Sequence, residues 1–202
     1  HLFISYTRTE LGFKHEPKDI IHYVELDEST KQLYRTLEKD KYLVIDDKEF
    51  LADTPMGLLL KLHQIEGGTL KNEQEYIQLP NREKIEYILK TWGDSEDLVI
   101  FYHYKEEEHK LKSVFKNAQV LQANKYAEGV DLSMYEHLVV YSMDFKTAQY
   151  TQRRARQANI RRETPINVHF LLIKRGLSEQ VYNTVAINKT NFVDKYFEKG
   201  VL

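Results

Sequence analysis

"DLVIFYHYKEEEHKLKSVF", Asp97 to Phe115, changes its pattern halfway along. The first part, Asp97 to Tyr104, is a nearly unbroken apolar run, which suits a strand covered on both faces. From Lys105 onward three glutamates open a helical pattern, and negative charge there suits the positive end of the helix dipole. The alternation continues downstream. AQVLQ (118–122), HLVVYS (137–142) and INVHFLLI (166–173) are short runs of strand character, with helical stretches between them. Strand and helix alternating in this way predict an α/β fold: a parallel sheet built from right-handed crossovers and flanked by helices.

Upstream, Asn81 to Trp92 reads as a helix. Before it the pattern is mixed. Ile20 to Glu28 looks like a strand, and Ser29 to Asp40 like an amphipathic helix with a Ser/Thr start and Leu33 and Leu37 four apart. KYLVID (41–46) is short and prone to strand. Thr54 to Ile65 carries a Thr N-cap with proline at the first helical position. GGTLKNEQ (67–74) has turn chemistry without the strand and helix context of a phosphate loop. The expected division is therefore a mostly helical N-terminal segment, residues 1–80, followed by the α/β unit, residues 81–202.

Composition narrows the setting. The chain has 202 residues, 42% of them apolar, enough to bury an ordinary core. Lys and Arg number 29 against 31 Asp and Glu, a formal charge of -2, so attraction to nucleic acid has to come from a local patch. With no cysteine there is no disulfide, thiolate zinc site or thiol nucleophile, which fits a reducing compartment. No apolar run reaches bilayer length and the first residues lack signal-peptide order, so the expectation is cytoplasmic with no membrane partner. The start at His1 is expected to belong to something longer. Eight histidines without ligand spacing predict no metal site. Tyr102 and Tyr104 are expected to alternate between core and surface.

The segment QYTQRRARQ, Gln149 to Gln157, concentrates cation in a chain that is otherwise nearly balanced. At helical spacing Gln149, Arg153 and Arg156 share one stripe. Phe145, Ala148, Gln152 and Ala155 fall on the adjoining face, expected to pack on the sheet, while Arg154 points away. Two guanidiniums a turn apart repel and are costly to desolvate unless an anion completes the site. Phosphate matches their forked donors; pairing with internal carboxylates, or plain solvation, is the other reading. In parallel sheets ligands gather at the carboxyl ends of strands. ANKYAEGVDLS follows one predicted strand there, and MDFKTAQYTQRRARQ follows another.

The order of DLVIFYHY, ANKYAEGVDL, QYTQRRARQ and INVHFLLIKRGLSEQVYNTVAINK resembles motifs IV, V and VI and the closing strand and helix of superfamily-two helicases. The similarity is greatest to the Swi/Snf-type branch and its abbreviated phage relatives. Motif VI of that branch runs Gln, three residues, Arg, two residues, Arg, matched by Gln149, Arg153 and Arg156. Motif V is matched by Gly129, Val130, Asp131 and Leu132. LLKLHQIEGGTLK and REKIEYIL are similar to the segment that leads into the second, RecA-like lobe. The sequence departs from the family at Ala127-Glu128, where two glycines are usual, and at Ala123 or Asn124, where Ser or Thr is. The stretch between motifs IV and V is also shorter. Gly-x-x-x-x-Gly-Lys-Ser/Thr and a strand ending in Asp-Glu, which such motors carry on the first lobe, are not in these 202 residues.

The resemblance implies a C-terminal RecA-like lobe over 81–202, with 1–80 leading from the first lobe of the same chain. It implies ATP with Mg in the cleft between lobes, and a fragment that alone binds neither and is inactive. Arg153 and Arg156 would be arginine fingers on the γ-phosphate. Gly129, Asp131 and Gln149 would border the nucleotide. The implied partner is DNA, with RNA as a variant, met through phosphates by His103, Lys105, Lys125, Tyr126, Arg161 and Arg162. The alternative is a stand-alone, non-catalytic module that binds nucleic acid or another motor. The setting would be cytoplasmic, that of the bacterial host if phage-encoded.

Overall fold

Among the described residues five strands run parallel, in the spatial order β1 (Lys18–Val24), β9 (Asn167–Ile173), β8 (His137–Val140), β6 (Leu98–Tyr102) and β7 (Gln119–Gln122). The computed structural model describes residues 17–123, 132, 134–146, 167–188 and 192. Between the sheet strands lie α1 (Glu28–Asp40), α2 (Pro55–Glu66), α3 (Glu83–Thr91) and α4 (Lys105–Val114), and α5 (Leu177–Tyr182) follows β9. Two short antiparallel pairs, β2 (Tyr42–Ile45) with β3 (Lys48–Leu51) and β4 (Thr69–Lys71) with β5 (Tyr76–Gln78), sit outside the sheet. The α/β fold expected from the alternation is present: a parallel sheet flanked by helices.

Because successive side chains of a strand point to opposite faces, each buried strand supplies two cores. Val99 and Phe101 of β6, Leu138 and Val140 of β8, and Val168, Phe170 and Leu172 of β9 pack with Leu37 of α1, Leu58, Leu59 and Leu62 of α2, and Val181 of α5. Leu98, Ile100 and Tyr102, Val139 and Leu171 face the other way, onto Ile85 and Ile88 of α3 and Leu111 of α4. The result is a helix-sheet-helix sandwich. Tyr102 and Tyr104 do not alternate between core and solvent: Tyr102 is buried, and the half-buried Tyr104 holds its hydroxyl 3.0 Å from Nδ1 of His63.

The N-terminal residues enter this sandwich directly. β1 pairs with β9 along its whole length, Lys18 opposite Asn167 and Val24 opposite Ile173. After it, α1 starts one residue earlier than its Ser/Thr signal indicates, because the Asp27 carboxylate accepts from the Thr30 N–H at 2.6 Å. α2 starts where expected: Thr54 Oγ1 accepts from Gly57 N at 3.0 Å and Pro55 opens the helix. Asp46 and Asp47, both at positive φ, make the two-residue turn that matches hairpin twist between β2 and β3.

Replacing Phe101 by Ala should remove about 3–5 kcal/mol of stability, since it empties a site filled from both sheet and helix. Val44→Ala, on the exposed side of the β2–β3 hairpin, should cost under about 1 kcal/mol. Urea unfolding of the two variants checks the assignment; equal losses would contradict the core described here.

Candidate functional site

In the strand order, the chain steps from β6 outward to β7, then crosses back to β8 on the opposite side of β6. Such a reversal opens a crevice beyond the carboxyl ends of the two strands, and in open parallel sheets ligands bind there. The described residues at this place are His103, Tyr104 and Lys105 after β6, and Tyr141 to Lys146 after β8.

A buried carboxylate joins the two strand ends. Glu107, on the first turn of α4, accepts through one oxygen from the N–H groups of His103 (3.1 Å) and Tyr104 (3.0 Å) and from the Ser142 hydroxyl (2.5 Å). One side chain thus caps α4 and pins the loop leaving β8 to the loop leaving β6. Its other oxygen lies where a Cβ on Gly67 would stand, 2.1 Å away, so the backbone after α2 comes close only because residue 67 is glycine. The Tyr141 hydroxyl donates to the Gly67 carbonyl at 2.8 Å.

Around Glu107 the charges alternate. Lys84 of α3 is fully buried and donates to the Tyr141 carbonyl at 2.8 Å. Burial lowers its ammonium, and Glu66 and Glu107 oppose that shift. Glu66, at the end of α2, accepts from the first N–H groups of α5, Leu177 at 2.5 Å and Ser178 at 3.0 Å; burial raises its carboxyl. Lys110 of α4 donates to the carbonyls of Gly68, Leu79 and Asn81 at 2.5–3.0 Å and is lowered by burial to about 8. These groups tie α2, α3, α4 and α5 to the same end of the sheet. None of them stood out in the sequence, where KEEEHK reads as an ordinary helix start.

The crevice itself is lined mostly by covered side chains. His103 Nδ1 lies 3.7 Å from the Asp144 carboxylate, with both side chains mostly covered. His63, lowered well below its usual range by burial and by the nearby Lys84 and His103, packs against Tyr104 and Phe145, and Phe145 stacks on Phe192. Lys105 is exposed. Of the site residues named from sequence, His103 and Lys105 thus sit at the expected strand end. Lys125, Tyr126, Gly129, Asp131, Gln149, Arg153, Arg156, Arg161 and Arg162 lie outside the described residues, in the segments that continue from Ala123 after β7 and from Lys146 after β8. Phe145, placed by its spacing on the packing face, is buried.

Among the described residues no group of three or more His, Cys, Asp or Glu is arranged to hold a metal. His22, His137 and His169 gather on the α3 side of the sheet around Trp92 as packed rings, His169 buried and the other two half-buried. His22 bonds His169 at 2.9 Å and the Tyr87 hydroxyl at 2.8 Å, and burial, with His22 and His137 nearby, pushes His169 down to about 4.

Burial pushes the Glu107 carboxyl up to about 7 in spite of its donors and Lys84. The folded protein therefore holds this proton more tightly than the unfolded chain. Its stabilising contribution is full below the ordinary value of 4.5 and is lost as pH rises through about 7. Thermal melts should show the wild type losing stability relative to Glu107→Gln across that interval. A difference between the two that does not change with pH would refute this protonation scheme.

No protein-family model matches the chain, and no curated protein does. Among solved structures it is similar to the crystal structure of the C-terminal part of the Fun30 ATPase domain, at 14% identity, with a TM-score of 0.62 and coverage of 85% of this chain and 89% of that one. No helix among the described residues is long and apolar enough to cross a membrane. At that identity the likeness is one of fold: the chain shares the α/β architecture of that structure.

Proposed function

We propose that this chain is the second motor lobe of an ATP-dependent DNA helicase or translocase of the Swi/Snf type. The observation that carries the reading is positional. The Gln149, Arg153, Arg156 series follows β8 in the sequence, and the carboxyl end of β8 borders the strand reversal where an α/β sheet of this order receives ligands. The fold shared with the C-terminal part of an ATPase domain supports it.

The carboxylates at this edge fit a lobe that receives a nucleotide carried by another lobe. Among the described residues Glu66 and one oxygen of Glu107 are occupied by backbone and hydroxyl donors, the other Glu107 oxygen is buried against Gly67, and Asp144 faces His103. Ligands for Mg are therefore expected from the partner lobe, and cations from this one. ATP with Mg, when bound between the lobes, supplies the phosphoryl group whose transfer to water drives the motor. Arg153 and Arg156 neutralise the charge that builds on it, Gln149 orients their segment, and Gly129 and Asp131 border the nucleotide from the loop after β7. The Glu107 and Ser142 tie fixes where the segments after β6 and β8 begin. DNA is held at its phosphates by His103, Lys105, Lys125, Tyr126, Arg161 and Arg162, so its grip weakens with salt.

ATP hydrolysis by the full gene product, with and without duplex DNA, tests this. Arg153→Ala and Arg156→Ala should each lower the DNA-stimulated rate by about 10³-fold or more while leaving the thermal midpoint unchanged. Equal rates for wild type and both variants reject the finger assignment. DNA binding with no hydrolysis in any of them favours the alternative, a non-catalytic module that binds nucleic acid or another motor.

A further inference from the structure

At the same carboxyl edge of the sheet, but at its other side, a cavity of about 460 Å³ opens beyond the ends of β1 and β9. Leu26, Tyr34 and Ile173 line it, the Tyr34 hydroxyl being tied to Glu66. One wall is α1 and the other is the turn from Lys174 to Gly176. Lys31 and Arg35, one helical turn apart, face this space from α1, and Lys174 and Arg175 line it from the turn. Two carboxylates, Glu25 and Glu38, line it as well, leaving cation in excess.

The cations are lightly held. Lys31 and Arg35 share one exposed carboxylate, Glu28, at 3.7 and 3.1 Å, and Lys174 reaches Glu25 at 3.4 Å. Exposed pairs of this kind contribute little and are readily exchanged for a better anion. The Arg175 guanidinium has no ion pair among the described residues. Its backbone sits at φ 60, a left-handed conformation unusual for a long side chain. The turn is held there from both sides. Arg175 N donates to Glu179 at 2.6 Å, and a Cβ on Gly176 would stand 2.4 Å from Glu66 and 2.8 Å from Ile173. The turn thus fixes the backbone of Arg175 at the cavity wall.

We propose that this cavity binds a phosphate-bearing ligand, with Arg35 and Arg175 as forked donors and Lys31 and Lys174 as point charges. Its volume lies in the range of small-molecule sites and accommodates a mononucleotide. The phosphate comes either from a free nucleotide or from a nucleic-acid strand passing the edge. The site is separate from the crevice between β6 and β8, and does not depend on the motor reading.

Calorimetric titration of the chain at low salt with inorganic phosphate, AMP and a short oligothymidine strand tests the proposal. Saturable binding is expected, weakened about tenfold or more by Arg35→Gln and by Arg175→Gly. Glycine accepts the positive φ, so the second variant loses the charge without straining the turn. Binding of AMP identifies a nucleotide pocket, and binding of the strand alone identifies a nucleic-acid contact; both support the site. The proposal is overturned if none of the three binds, or if both variants bind as the wild type does. Arg156→Ala should leave the affinity unchanged. If that substitution abolishes binding and the other two do not, the phosphate lies in the β6–β8 crevice and this site fails while the motor reading stands.

Discussion

A carboxylate withdrawn from water must be answered by donors, and in this protein that requirement organises one whole end of the sheet. Glu107 takes its donors from the two residues after β6 and from Ser142 after β8. Two loops that are far apart in sequence are thereby brought to one point. Satisfying the group demands that Gly67 give way, that Lys84 supply opposite charge, and that α4 begin where it does. Deleting one partner would leave the others buried and unanswered, so these residues behave as a unit.

Glu66 plays the corresponding part on the other face. It receives the opening N–H groups of α5 and sits beside Gly176, so the turn after β9 is shaped from beneath. Lys110 gathers three carbonyls of the backbone between α2 and α3. The two glutamates and two lysines therefore tie helices from both layers of the sandwich to the sheet's carboxyl edge. Apolar packing holds the layers together but does not specify their relative height; the ionic groups do, since a small slip would break several short contacts at once.

Much of the architecture could be read from the chain because its signals are local. The apolar run at 98–102 followed by a carboxylate-led helix, and the Thr54-Pro55 start of α2, depend on neighbours a few residues away. Other features have no local trace. β1 looks like any strand, and nothing near it indicates that its partner is β9, whose residues come 149 positions later at Lys18 and Asn167. Lys84, Glu66 and Glu107 resemble surface charges until the fold encloses them. Of the site residues, His103 and Lys105 stand at the expected strand end, because position after a buried strand is itself a local property. The arginine stripe was legible as spacing, whereas what it faces is a matter of tertiary placement and lies outside the described residues.

That distant pairing of β1 with β9 also orders the assembly of the molecule. During synthesis β1 emerges before the rest of this sheet and has no parallel neighbour until β9 has followed it out of the ribosome. The flank of β9 that receives it must stay open until then, and closing so large a loop is slow. Sealing by β1 therefore comes late, and an incomplete chain exposes a strand edge that invites chaperones or self-association.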